Sequence, residues 1–322
     1  MHKIVIFAFV AAATLVSAGA AAQNYPARPV RMVVPYPPGG TVDVVARVLA
    51  LNLAEQTGRN FIVDNRAGAN GIVGSDLVAK ATPDGYTLLV QASIFVINPL
   101  FLKNVPYDVQ KDYSPITNIG SVPLLVTAHP AVPAANLREF LALVKATTSK
   151  YSFATSGLGS AGHLSEEMIK RQAGVPELLI VPYKGSGPAL TDLIGGQVSA
   201  MIDPFPSSYP HVKSGRLKAL AVTSTKRVSF MPEVRTVAES GVPGFDMVSW
   251  YGLWGPRGVP PAVTSRLTVE TARAVRAPLS VSRLGEQGFD PAGGGPDAFA
   301  KFIAQEIDRY AKIVREANIK AD

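Results

Sequence analysis

The sequence predicts an α/β protein of two lobes, each a parallel sheet with helices on its faces. Three observations carry this. Apolar, β-branched runs alternate with amphipathic stretches from Pro29 onward, the pattern of repeated β-loop-α units. The first such run, "VRMVV", is almost continuously apolar, as a strand buried on both faces should be. The length, 322 residues, suggests about two domains.

The elements follow in order. After "VRMVV", residues Val42, Val45, Ala46, Leu49 and Leu53 fall at helical spacing, and Gly58 stands where that helix ends. "FIVD" reads as a strand, "NRAGANG" as a loop, "IVGSDLVAKA" as a helix and "YTLLVQA" as a third strand. "TPDGY" between the last two is turn chemistry, since Pro fixes φ and Gly accepts a positive φ. "QASIFVIN" reads as a post-strand loop. A second series begins near Pro123: strand "LLVTAHP", helix "NLREFLALVKATT", strand "YSFATS", loop "GLGSAG" and helix "HLSEEMIKRQAG". It continues with strand "ELLIVPY", helix "GPALTDLIGG" and strands "VSAMID" and "LKALAVTS". The chain then turns irregular and Pro-rich before two helices over 261–277 and 296–318.

The first residues stand outside this fold. Met1-His2-Lys3 is a short positive segment, an apolar run follows, and "SAGAAAQ" offers a small-x-small cleavage site before Gln23. Residues 1–22 thus read as a secretory signal peptide, its apolar core too short to span a bilayer. No later run is long enough to span, so a soluble, exported protein is expected. The sequence has no cysteine, which removes disulfides, thiolate metal sites and a lipid-anchoring cysteine, and export without cysteine fits a bacterial periplasm. The formal charge of +7 favours anionic solutes weakly, while charge runs with interleaved aromatics for nucleic acid are missing.

In sheets of this kind ligands bind outside the carboxyl ends of strands, so the loops that follow strands carry the functional reading. In "PYPPGGTVD", Gly39 and Gly40 let the backbone turn sharply and Thr41 can cap the next helix. Unpaired N–H groups behind it, with the helix dipole, form an anion site that needs no Arg or Lys. A plain strand-to-helix turn also explains PPGG. Asp43 either complements the dipole or meets a ligand's hydroxyl or amine.

"TSGLGSAGH" repeats the recipe with Gly157 and Gly159. Its literal G-x-G-x-x-G lacks the acidic residue closing the next strand that a dinucleotide site needs. Ser156, Ser160 and His163 invite a hydrolase reading, but no G-x-S-x-G elbow is present and nothing orients His163. No histidine has metal-ligand spacing, and no cofactor or metal is expected. "NRAGANG", "QASIFVIN" and "YKGSGPA" share the small, polar character, and five such loops fit a cleft lined with backbone donors and hydroxyls. Asp203, closing "VSAMID", either points into that cleft or caps the next helix.

"PVRMVVPYPPGGTVDVVAR", "VDNRAGANGIVGSDLVAKATPDGYTLL", "VPYKGSGPALTDLIGGQV" and "PHVKSGRLKALAVTS" resemble the Bug (TctC-like) extracytoplasmic solute receptors of tripartite tricarboxylate transporters. The resemblance runs from about Tyr25 to the C-terminus. It implies a two-lobed, type II-like periplasmic binding protein with a ligand cleft between the lobes, non-enzymatic and monomeric. Residues 23–123 plus 225–322 would form the first lobe and 124–224 the second. It also implies that backbone amides and hydroxyls of residues 37–41 and 156–160 hold a carboxylate: Pro38, Gly39, Gly40 and Thr41 on one side, Ser156, Gly159 and Ser160 on the other. Ala69, Asn70, Ser93, Lys184 and Asp203 match cleft-lining positions. The partners implied are a small organic acid and the membrane permease subunits. Tyr36, Ile94 and Phe95, if they face the cleft, favour an apolar or aromatic ligand body. An exported hydrolase acting through Ser160 and His163, or a sensor serving a membrane kinase, are the alternatives.

Overall fold

The computed structural model describes residues 25–316 and 319; the expected signal peptide lies outside them. Three strands open the first sheet: β1 (Val30–Val34), β2 (Phe61–Asn65) and β3 (Thr87–Ala92), with β1 parallel to both others. Helices α1 (Thr41–Thr57) and α2 (Ile72–Ala79) connect them. The two faces of β1 go to different cores. Val30, Met32 and Val34 pack with Val45, Leu49 and Leu53 of α1 and with Leu267 of α8 (Pro261–Ala274). Val33 packs with Val78 of α2, Phe95 of α3 (Ile94–Phe101), and Phe299 and Ile303 of α10 (Pro296–Glu316). Burial on both faces is why the strand is apolar at every position but Arg31, whose head reaches Asp64 at the surface.

The rest of this sheet departs from the expectation of an all-parallel lobe. β9 (Val248–Pro256) runs antiparallel between β3 and β4 (Tyr113–Ala128), and β10 (Asp290–Gly293) adds antiparallel to β4. The second sheet is likewise mixed. β5 (Ser152–Thr155) is parallel to β6 (Leu179–Pro182) and to β7 (Ala200–Pro204). β7 and β8 (Lys218–Val222) pair antiparallel with β4. Its helices are α4 (Leu137–Ala146), α5 (Ala161–Ala173), α6 (Ser186–Ile194) and α7 (Phe205–Lys213). α9 (Pro278–Arg283) leads from α8 toward β10.

β4 joins the lobes. Its residues up to Pro123 pair with β9, and from Leu124 onward with β7. The change of partner falls between Pro123 and Leu124. The return comes later than the expected Ser224. Val222 N donates to Arg235 O, Val237 N donates to Val222 O, and Met231 and Val234 pack with Leu125 and Phe205. Residues 224–247 therefore lie along the second sheet, and the chain rejoins the first at Val248.

The loop expected at "QASIFVIN" is the end of β3 followed by α3, a short helix that carries Pro99 inside it. α10 closes the back of the molecule with Phe299, Ile303, Tyr310 and Val314 on one stripe, each buried, while Trp250 Nε1 donates to Glu306 Oε2 at 2.9 Å.

Candidate functional site

Five helices begin around one cavity. Gly40, Thr41 and Val42 open α1; Ser93 and Ile94 open α3; Ser160, Ala161 and Gly162 open α5; Gly185, Ser186 and Gly187 open α6; Pro204 precedes α7. All of them line the cavity, together with Tyr36, Pro37, Ala92, Ser156, Ser249 and Tyr251. The cavity itself is small, about 60 Å³. No lining residue carries a charge.

The first N–H groups of an α-helix have no intrahelical acceptor. Among the described residues, the amides of Thr41, Val42, Ala161, Gly162, Ser186 and Gly187 find no intramolecular acceptor outside the helices either. Ser93 Oγ and the Tyr251 hydroxyl are also buried in this wall without hydrogen-bond partners. The aligned helix dipoles add positive potential to the same space. The cavity is thus a nest of donors whose charge preference comes from main chain alone.

Small residues keep it open. A Cβ on Gly40 would be 3.9 Å from Ser186 Cβ, inside the cavity, whereas one on Gly162 would collide with the Ile202 carbonyl oxygen. The helix start of α5 lies hard against β7 for that reason.

Several residues expected to touch a ligand stand behind the wall. Asp43 is buried, and its carboxylate accepts from Gly39 N at 3.0 Å, Arg47 Nε at 2.9 Å and Asn65 Nδ2 at 2.9 Å. Burial acts against ionisation, but those three hydrogen bonds outweigh it and hold the carboxyl below its usual range. It fastens the turn and does not line the cavity. Gly39 supplies that turn with φ of 90° and donates its amide to Asp43, and Pro38 lies outside the cavity wall while Pro37 lies in it.

Gly159 and His163 form a similar brace. Gly159 has φ of 76°, and its N–H donates to His163 Nδ1 at 3.1 Å, while His163 N donates to the Ser160 cap at 3.0 Å. His163 Nδ1 is therefore committed to an amide and not to Ser160. Burial lowers its basicity. The Ser-His geometry of a hydrolase does not form. Phe95 is fully buried, packed edge-on against Tyr113 and Trp254, and does not reach the cleft, while Tyr36 and Ile94 do.

Asp203 has no exposed surface. Ser186 Oγ donates to its Oδ1 at 2.8 Å, Ser207 Oγ donates to its Oδ2, and Thr41 Oγ1 donates to Ser207 Oγ at 3.0 Å across the cleft. Burial pushes Asp203 up to about 7, against the opposing pull of those hydroxyls. It sits one layer of serines behind the cavity.

A second, outer groove shares Tyr36, Pro37, Ser156 and Gly185 with the cavity and carries Ala69, Asn70 and Lys184. Ala69 and Asn70 have φ of 43° and 57°, a strained conformation held by Asn98, whose Nδ2 donates to Asn70 O at 3.1 Å. Asn70 Nδ2 donates to Leu158 O at 2.6 Å, a direct tie between loops of the two lobes.

Sequence reading began a helix at Gly187 and singled out "YKGSGPA" but did not name Ser186 or Gly187 as site residues. It missed Ser249 and Tyr251 entirely, because the strand bearing them lies in the stretch read as irregular. The apolar run "WYGLW", bounded by small residues, was the available signal.

The fold and the cavity are those of an α/β periplasmic solute-binding protein. The sequence pattern described as "Tripartite tricarboxylate transporter family receptor" matches residues 45–319, and the chain belongs to that family. It is 39% identical to "Protein BugT" of Bordetella pertussis over 318 residues, 98% of this chain and 97% of that protein. The solved structure of R. palustris Rpa4515 with adipate superposes with a TM-score of 0.89 at 36% identity, covering 92% of this chain and 99% of that one. MatC (Rpa3494) from Rhodopseudomonas palustris with bound malate gives 0.84 at 31% identity, covering 90% and 100%. The family is one of non-enzymatic transporter receptors.

Proposed function

We propose that this protein captures a small organic acid in the periplasm, after removal of residues 1–22, and delivers it as a monomer to the permease subunits of a tripartite tricarboxylate transporter. The observation that carries this reading is the uncharged cavity ringed by five helix starts, three of which, α1, α5 and α6, turn unused amides to it. A carboxylate accepts from amides of α1 on one lobe and of α5 and α6 on the other, so binding draws the lobes together. Charge-assisted hydrogen bonds contribute about 1.5–3 kcal/mol each, so three or four supply roughly 5–12 kcal/mol before ordering costs, against about 8 kcal/mol net for micromolar affinity.

The ligand's far end extends past Tyr36 and Ser156 into the outer groove, where Ala69, Asn70 and Lys184 meet it. Adipate and malate in the related structures are of this chemical class. The lobes are taken as 25–123 plus 248–316 and 124–247, moving the second crossing to the start of β9.

A thermal-shift screen tests this with mono-, di-, tricarboxylic and aromatic acids beside their neutral amides. Acids raise the melting temperature by several degrees at saturating concentration and the amides do not. Stabilisation by the amides alone, or by no acid of the panel, contradicts it.

A further inference from the structure

Asp203 is a buried acid without a cation, placed directly behind an anion cradle. The titratable groups that face it are Glu166 of α5 and Tyr251 of β9, and neither supplies positive charge. Its other neighbours are hydroxyls: Ser186 of α6, Ser207 and Ser208 of α7, and Ser156 after β5. Glu166 is itself fully buried, with Oε1 accepting from Ile202 N and Oε2 unpartnered. Two carboxyls therefore share the interior beneath the cavity.

A serine hydroxyl has one proton to donate. In the structure Ser186 spends it on Asp203 Oδ1, although Ser186 also lines the cavity. Toward a bound carboxylate it can then turn only lone pairs. Ser207 accepts from Thr41 and has both Asp203 Oδ2 and Pro204 O, the latter at 2.9 Å, within reach of its one proton. If Asp203 carries a proton, its own O–H donates to Ser186, and the Ser186 hydroxyl turns to donate into the cavity. The same proton removes a negative charge from behind the ligand.

We infer that the receptor takes up an acid together with a proton: carboxylate capture in the cavity protonates Asp203 and reverses the Ser186 hydrogen bond. No covalent bond is made. The proton comes from solvent before or during closure and returns when the lobes open. The inference rests on the carboxylate reading of the cavity and adds what accompanies the ligand.

Calorimetry with adipate at pH 8, in phosphate and in Tris, tests it; acetate serves as the minimal carboxylate if adipate gives no heat. The expected result is uptake of close to one proton per ligand bound, and affinity falling about tenfold per pH unit above pH 7. Asp203→Asn, checked for folding by its melting transition, abolishes uptake and flattens the pH profile, while Glu166→Gln retains both. Wild-type binding with no uptake overturns the inference, as does uptake that survives Asp203→Asn and disappears in Glu166→Gln. If the Asn variant does not fold, Ser186→Ala decides, with uptake markedly reduced; unchanged uptake there overturns the relay. Absence of binding by both acids fails the carboxylate reading itself, a separate outcome.

Discussion

At the scale of single residues, glycines in the two expected loops do different work. Gly40 has φ of −81°, open to any residue, and faces the cavity. Gly40→Val fills space meant for a ligand, so affinity for the best acid falls at least tenfold while stability changes by about 1 kcal/mol or less. Gly159 has φ of 76° and stands behind the wall. Gly159→Val costs about 1–3 kcal/mol of strain, read as a lower melting temperature with or without ligand. Equal melting temperatures for wild type and Gly159→Val would contradict this. Asp203 has the opposite linkage from most carboxylates. With its native value near 7, above the ordinary one, the folded state holds an extra proton from about pH 4 to 7. Its contribution to stability therefore falls as pH rises through that window. Comparing melting temperatures at pH 5 and 8, Asp203→Asn should lose less stability than wild type; an equal or greater loss contradicts the assignment. The sequence marked Asp43, Gly159, His163 and Asp203 as site residues because small loops and helix starts cluster there. It could not separate the wall from its bracing, since that depends on which way a buried side chain turns.

At the scale of elements, most of the α/β alternation was legible. β1, β2, β3, α1 and α2 lie within a residue or two of the stretches read for them, because apolar runs there are bounded by Pro, Gly and Asp. α3 was not, since "IFVINPLF" is apolar on nearly all sides and carries a proline, which erases helical periodicity. α7 was hidden in the same way by Pro206 and Pro210, the first tolerated in an opening turn. β9 escaped because its neighbours in sequence are Pro-rich, while its partners β3 and β4 are more than a hundred residues away. Those three elements carry Ser93, which only the family resemblance marked, and Ser207, Ser249 and Tyr251, which the sequence reading did not mark, so much of the undetected site belongs to undetected structure. Among the helix starts, α5 alone combines cavity lining with a side-chain cap. Ser160→Ala removes it at a cost of about 1 kcal/mol in stability, measurable by urea titration. No change in the urea midpoint would mean the cap is not used.

At the scale of the whole molecule, the chain passes between the two sheets at Pro123/Leu124 within β4 and again at the start of β9, and among the described residues Thr41 donates to Ser207 and Asn70 to Leu158 O across the cleft, while Arg309 donates to Asp246 O. The tie from Asn70 to Leu158 involves no ligand. Asn70→Ala shifts the free protein toward an open form, seen as a larger radius of gyration in solution scattering. It weakens binding about fivefold, the worth of one hydrogen bond near 1 kcal/mol. Scattering and affinity both unchanged would contradict that role. The central claim, that main-chain amides at facing helix starts grip an acid group, is tested most directly by a crystal structure with the strongest-binding acid of the screen. The account predicts carboxylate oxygens about 3 Å from the amide nitrogens of Thr41 or Val42 on one lobe and of Ala161, Gly162, Ser186 or Gly187 on the other. A carboxylate paired with Lys184 in the outer groove, with those amides unengaged, would contradict it.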